Sequence, residues 1–192
     1  MKERRVFTGN EHFLVSGQRT EMRVLHFWQQ CYSDLRDSGA RLAEFLVLKA
    51  LGASGSERLD YWKTYQIVYR GFDILIRMFS GLEADGRAFV HDKNRCINIS
   101  NRNVDLYIVC HCGAMTRAEV LDLDKWKFYI LPIWLINAKC GKGNAMRISR
   151  LRRLIKPVEY LNIKEIVDRL IDDGVAERRE DYAENKNTGN HK

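Results

Sequence analysis

Val104-Asp105-Leu106-Tyr107-Ile108-Val109-Cys110 is nearly continuous apolar sequence, and it narrows the folds open to this chain more than any other feature. A strand shows alternate side chains to opposite faces, so a run that is apolar at both parities must be covered on both sides. Helices are the natural cover. Residues 40–51 are apolar almost all round through Leu42, Ala43, Phe45, Leu46, Val47, Leu48, Ala50 and Leu51, which predicts a central helix ended by Gly52. Glu44 interrupts that surface, and a carboxylate in a buried helix needs a partner or a task. An interior strand beside a central helix implies an α/β domain, a mixed sheet flanked by helices.

The remaining elements follow from local pattern. Residues 1–19 are mixed and polar and predict an N-terminal arm or a loosely held strand. From Thr20 the pattern turns helical, with Val24, Leu25, Phe27, Trp28, Cys31, Tyr32 and Leu35 on one stripe until Asp37-Ser38-Gly39 breaks it. Residues 65–69 and 72–79 are β-branched and aromatic around Arg70-Gly71, the signature of a hairpin. Short strands are predicted at 95–100 and 126–131, the latter closed by Pro132, with a short helix around 134–137. Helices are predicted at 146–156 and 162–171. After Gly174 the sequence is Glu, Arg, Asn and Lys without apolar support, so 175–192 is expected to be a disordered tail and 20–174 the domain.

At 192 residues, 45% hydrophobic and 30% charged, the chain has the composition of one globular domain. No apolar run of about 18 residues is present to cross a membrane. Met1-Lys2-Glu3-Arg4-Arg5 leads into polar residues rather than an apolar stretch, which argues against a signal peptide and for a cytoplasmic protein. Cys31, Cys96, Cys110, Cys112 and Cys140 are accordingly expected to be reduced and mostly buried. Cys110-His111-Cys112 has one residue between its thiols where zinc sites prefer two to four, and neighbouring strand residues face apart, so neither zinc nor a Cys–His nucleophile is expected.

The net charge of +7 favours polyanionic partners. Arg147, Arg150, Arg153 and Lys156 recur at intervals of three with Arg152 beside them, a cationic ridge if 146–156 is helical. The same pattern also describes a solvated surface helix. Lys139, Gly141, Lys142 and Gly143 precede it as a flexible basic loop that lacks the spacing of a phosphate-binding loop.

Residues 41–47, Trp62-Lys63-Thr64-Tyr65-Gln66, Gly71, Ile74-Leu75-Ile76-Arg77, 104–110 and 121–132, taken in order, resemble uncharacterised bacterial restriction-endonuclease-like proteins over about residues 24–170. The resemblance implies a PD-(D/E)XK nuclease fold. There, an acid at the start of the hairpin and an acid-x-lysine on its second strand gather magnesium, often with an acid from the preceding helix. The corresponding positions here are Glu44, Gln66, Leu75 and Arg77. Leucine is no ligand, glutamine is a weak one, and arginine cannot deprotonate as lysine can. The implied site is therefore degenerate, with no metal or other cofactor, and Glu44 is expected to pair with Arg77 or Arg41. The expected function is a catalytically inactive nuclease-like protein. It would bind DNA or RNA through Arg77, Arg147, Arg150, Arg153 and Lys156, or serve as a subunit of a bacterial or mobile-element defence-type complex. Two alternatives stay open. A migrated site of Glu44, Asp60 and Asp73 would hold magnesium or manganese in an active endonuclease. Otherwise the scaffold would serve only as a protein-interaction module.

Overall fold

The interior strand is the centre of the molecule. In a computed structural model that describes residues 7–31, 38–53, 66–78, 81–82, 89–90, 96–116, 118–141 and 143–175, it runs over Leu106–Cys112. Six of its seven residues are buried, with His111 half-buried. The chain opens with strands β1 (His12–Val15) and β2 (Gln18–Arg23), then helices α1 (Val24–Cys31) and α2 (Ser38–Leu51). Strands β3 (Gln66–Tyr69), β4 (Phe72–Met78), β5 (Gly81–Leu82), β6 (Phe89–Val90) and β7 (Cys96–Asn98) follow, and the interior strand is β8. Then come β9 (Trp126–Pro132), α3 (Ile133–Cys140), β10 (Ala145–Arg147), α4 (Ile148–Leu154) and α5 (Ile163–Leu170).

The main sheet has the order β3-β4-β8-β9. β3 and β4 are antiparallel, β4 and β8 parallel, and β8 and β9 antiparallel. The mixed α/β sheet flanked by helices is thus as the sequence implies. Alternation along the strands splits the interior into two cores. Ile74, Ile76, Leu106, Ile108, Phe128 and Ile130 pack with α1, α2 and α5 on one face. Leu75, Tyr107, Val109, Tyr129 and Leu131 pack on the other face with Ile136 of α3, Ile148 and Leu151 of α4, and the small β7–β10 ribbon. No helix among the described residues is long and apolar enough to cross a membrane.

Two expectations are corrected, and one open alternative is decided. Of residues 1–19, expected to be an arm or a loosely held strand, 12–19 belong to a hairpin over 12–23 that turns at Ser16 and Gly17, both at positive φ (50° and 72°). Its Phe13 is 1% exposed, in contact with Phe45. The tip is held by a Ser16 N–H donated to Asp124 Oδ2 at 2.8 Å. The helix expected from Thr20 accordingly starts only at Val24. The helix expected over 146–156 is also shorter, because Ala145–Arg147 instead pairs as a strand with Asn98, Ile97 and Cys96. α4 ends at Leu154, before the extended Ile155 and two residues ahead of the helix-breaking neighbourhood of Pro157. Of the expected tail, residues 176–192 lie outside the described residues.

Candidate functional site

The β3–β4 hairpin, to which the resemblance assigns the metal-binding positions, is built as its sequence requires. Arg70 and Gly71 turn it with φ of 51° and 82°, the mirror-image turn whose twist suits two-residue hairpins. Gln66 then stands directly opposite Leu75. Leu75 is fully buried in the core formed with Ile97, Tyr107 and Val109, so no solvent reaches the acid position. Arg77 shares its face by alternation; its Nε is buried with no hydrogen-bond partner among the described residues.

Glu44 does not join them. It is 4% exposed on α2, which covers the opposite face of the sheet. Glu44 has an interaction partner, but Arg77 forms no ion pair among the described residues, so the expected Glu44–Arg77 bridge is not made.

Asp73 has a neighbour that the sequence reading passed over. Asp105 is 3% exposed at the start of β8, and its Oδ2 accepts the Asp73 N–H at 2.8 Å while its own N–H donates to the Asp73 carbonyl at 2.9 Å. The two carboxylates therefore belong to adjacent parallel strand ends. The available signal was an acid inside an otherwise apolar run. Asp60, the third residue of the migrated-site expectation, lies outside the described residues. Among the described residues no group of three His, Cys, Asp or Glu side chains is placed to hold a metal ion.

The thiols divide by burial. Cys110 and Cys112 are fully buried, and removal from water pushes the Cys110 thiol far up and the Cys112 thiol up to about 12. Both stay protonated at physiological pH, and the thiolate is the form that binds metal and attacks. Cys96, by contrast, is exposed, against the expectation of burial, because it lies on the outward face of β7.

The cationic ridge takes a different form from the helix expected. Arg147 sits on β10, Arg150, Arg152 and Arg153 on α4, and Lys156 beyond its end; all five are exposed. Arg150 donates to the carbonyl of Lys139, and Arg153 Nε donates to the Ser149 carbonyl at 3.3 Å. No carboxylate pairs with any of these cations among the described residues. The turn before them is pinned from behind by Arg102, a residue with no local sequence signal. Its Nη2 donates to the carbonyls of Gly141 at 3.2 Å and Gly143 at 2.6 Å, and its Nη1 to Asn137 Oδ1 at 3.3 Å.

Around the β3–β4 turn and α5, cations are instead held in ion pairs. There Arg70 bonds Asp168 (3.1 Å) and Asp172 (2.7 Å), Lys164 bonds Asp168 (2.6 Å), and Arg169 bonds Glu165 one turn away. The sequence explains the division. Residues 125–158 hold nine of the chain's 32 Lys and Arg and none of its 25 Asp and Glu, so the remaining residues carry a formal charge of −2. Seven of those nine, from Lys139 to Lys156, fall in the stretch that runs from α3 through β10 to just past α4, over one face of the sheet, while Lys127 of β9 pairs with Glu159 at 2.6 Å.

Comparison with protein-family models, with curated proteins and with solved structures finds no match to this chain.

Proposed function

We propose that this protein is a nuclease-like scaffold without a working metal centre that binds nucleic acid through the face formed by α3, β10 and α4. The observation that carries the reading is the cluster of exposed cations Arg147, Arg152, Arg153 and Lys156, none paired with a carboxylate among the described residues, whereas Arg70, Lys164 and Arg169 at the β3–β4 turn and α5 are held in ion pairs. Unpaired cations close together attract phosphates by releasing condensed counterions. The restriction-endonuclease-like ancestry rests on the motif resemblance. Within it, a buried leucine at the acid position supports the inactive reading.

A second reading starts from Asp73 and Asp105, whose backbones meet at neighbouring strand ends: a metal-dependent endonuclease with a displaced acidic site. One experiment separates the two. Supercoiled plasmid is titrated with protein, with and without manganese, at about 50 and 200 mM salt. With roughly four or five phosphate contacts, affinity should fall by about two orders of magnitude or more between those salts. The expected result is retarded, intact plasmid, released by salt and by the Arg152→Gln/Arg153→Gln variant. Manganese-dependent nicking that disappears in Asp105→Asn would replace the first reading with the second. Unshifted plasmid in every lane would leave the scaffold as a protein-interaction module.

A further inference from the structure

Arg102 is a cation that spends its charge on the protein itself. It lies in a segment fixed by its own turns: the Asn103 N–H donates to Asn101 Oδ1 at 3.0 Å, the Ser100 N–H to Asn98 Oδ1 at 2.9 Å, and the Tyr107 hydroxyl to the Asn101 carbonyl. From that base the guanidinium fork reaches the Gly141 and Gly143 carbonyls and Asn137 Oδ1, at the end of α3 and the start of the turn into β10. The turn favours glycine at Gly141 and leaves little room for a side chain at Gly143. Gly141 has a φ of 54°, and a Cβ on Gly143 would sit 3.1 Å from the Cys140 carbonyl oxygen. On the far side Arg150 holds the Lys139 carbonyl. Carbonyls left over at a helix end need donors, and here two arginines supply them.

This joint links the two cation-bearing stretches. Lys139 precedes the turn and Arg147 follows it, and the Ile99 N–H donated to the Asn144 carbonyl at 2.9 Å continues the ribbon that carries Arg147. Resting on the nucleic-acid reading above, we infer that Arg102 is a positioning residue of the basic face. Its fork holds the α3–β10 turn so that Lys139 and Arg147 face one polyanion together, without touching that polyanion itself. A planar fork is required. A lysine ammonium would keep the charge but could not span three acceptors set by two backbone carbonyls and an amide.

The test is fluorescence anisotropy with a labelled 30-base-pair DNA duplex across a salt series, using the full chain and its Arg102→Lys, Arg102→Ala and Lys139→Gln/Arg147→Gln variants. Thermal melts confirm that each folds. The expected result is that Arg102→Lys weakens binding about as much as Arg102→Ala, by roughly tenfold, with a shallower salt slope. In the Lys139→Gln/Arg147→Gln background, Arg102→Lys should then cost less than about twofold, since the residues it positions are gone. Arg102→Lys binding like the unaltered protein would overturn the inference, and so would an equal loss in both backgrounds, which marks a direct or independent contribution. If the unaltered protein shows no salt-sensitive binding, the nucleic-acid reading falls and this inference with it.

Discussion

Leu75 shows most directly how a side chain decides what this protein can do. The resemblance assigns a carboxylate to its position, and the leucine is fully buried among Ile97, Tyr107 and Val109 on the face covered by α3 and α4. A carboxylate there would lose its hydration, a cost that Arg77, two residues along the same face, would offset only in part. We therefore expect Leu75→Glu, alone or with Gln66→Asp and Arg77→Lys, to destabilise the fold by at least about 3 kcal/mol rather than to create a nuclease. Urea unfolding of the single variant checks this, and a midpoint near that of the unaltered protein would show the position to be more open than its burial implies. Hairpin, turn and the pairing of Gln66 with Leu75 could be read from the sequence because turn chemistry and alternation are local. The enclosure of Leu75 could not, since it depends on segments more than twenty residues away.

At the scale of elements, the β3–β4 turn and α5 form one unit. Asp168 gathers donors from both sides: the Tyr69 hydroxyl at 3.0 Å, Arg70, and Lys164, which also donates to the Tyr69 hydroxyl at 2.7 Å. Burial by itself would raise the Asp168 carboxyl, but hydrogen bonds from Lys164, Arg70 and Tyr69 outweigh it and hold the group below its ordinary value of 3.8. A carboxyl lowered in the folded state stabilises fully above its unfolded value, and the contribution is lost as pH falls through the lowered folded value. Asp168→Asn should thus lower the melting temperature by roughly 2–4 °C at pH 7. The deficit should close progressively below about pH 4. Scanning calorimetry at pH 7, 4 and 3 checks this; a deficit unchanged at pH 3 would mean that the amide loses packing rather than charge.

Elements also mark where sequence reading stops. The apolar positions Met146, Ile148, Leu151, Leu154 and Ile155 fit one continuous helix, yet the chain enters α4 as a strand because β7 supplies a partner some fifty residues upstream. Propensity yields there to a distant pairing. The clamp by Arg102 was hidden for the same reason, since its acceptors lie 35–41 residues away.

Across the whole molecule, two cores share one sheet, and β8 gives Ile108 to one and Val109 to the other. Neither core can dissolve while that strand stays paired, so unfolding should be one cooperative transition. Phe45→Ala, in the first core, should cost about 3–5 kcal/mol, and Leu151→Ala, in the second, about 2–5 kcal/mol. Far-ultraviolet circular dichroism and tryptophan fluorescence should move together in both variants. Separate transitions by the two probes would mean that the cores melt independently.

The seat of the N-terminal hairpin carries a consequence for synthesis. Residues 12–23 leave the ribosome well before their seat is made, because Asp124, which receives the hairpin tip, lies 108 residues downstream of Ser16. At about 5–20 residues per second, that interval lasts roughly 5–20 s. Throughout it Phe13 has no finished core to enter, so a segment made early is among the last to reach its place.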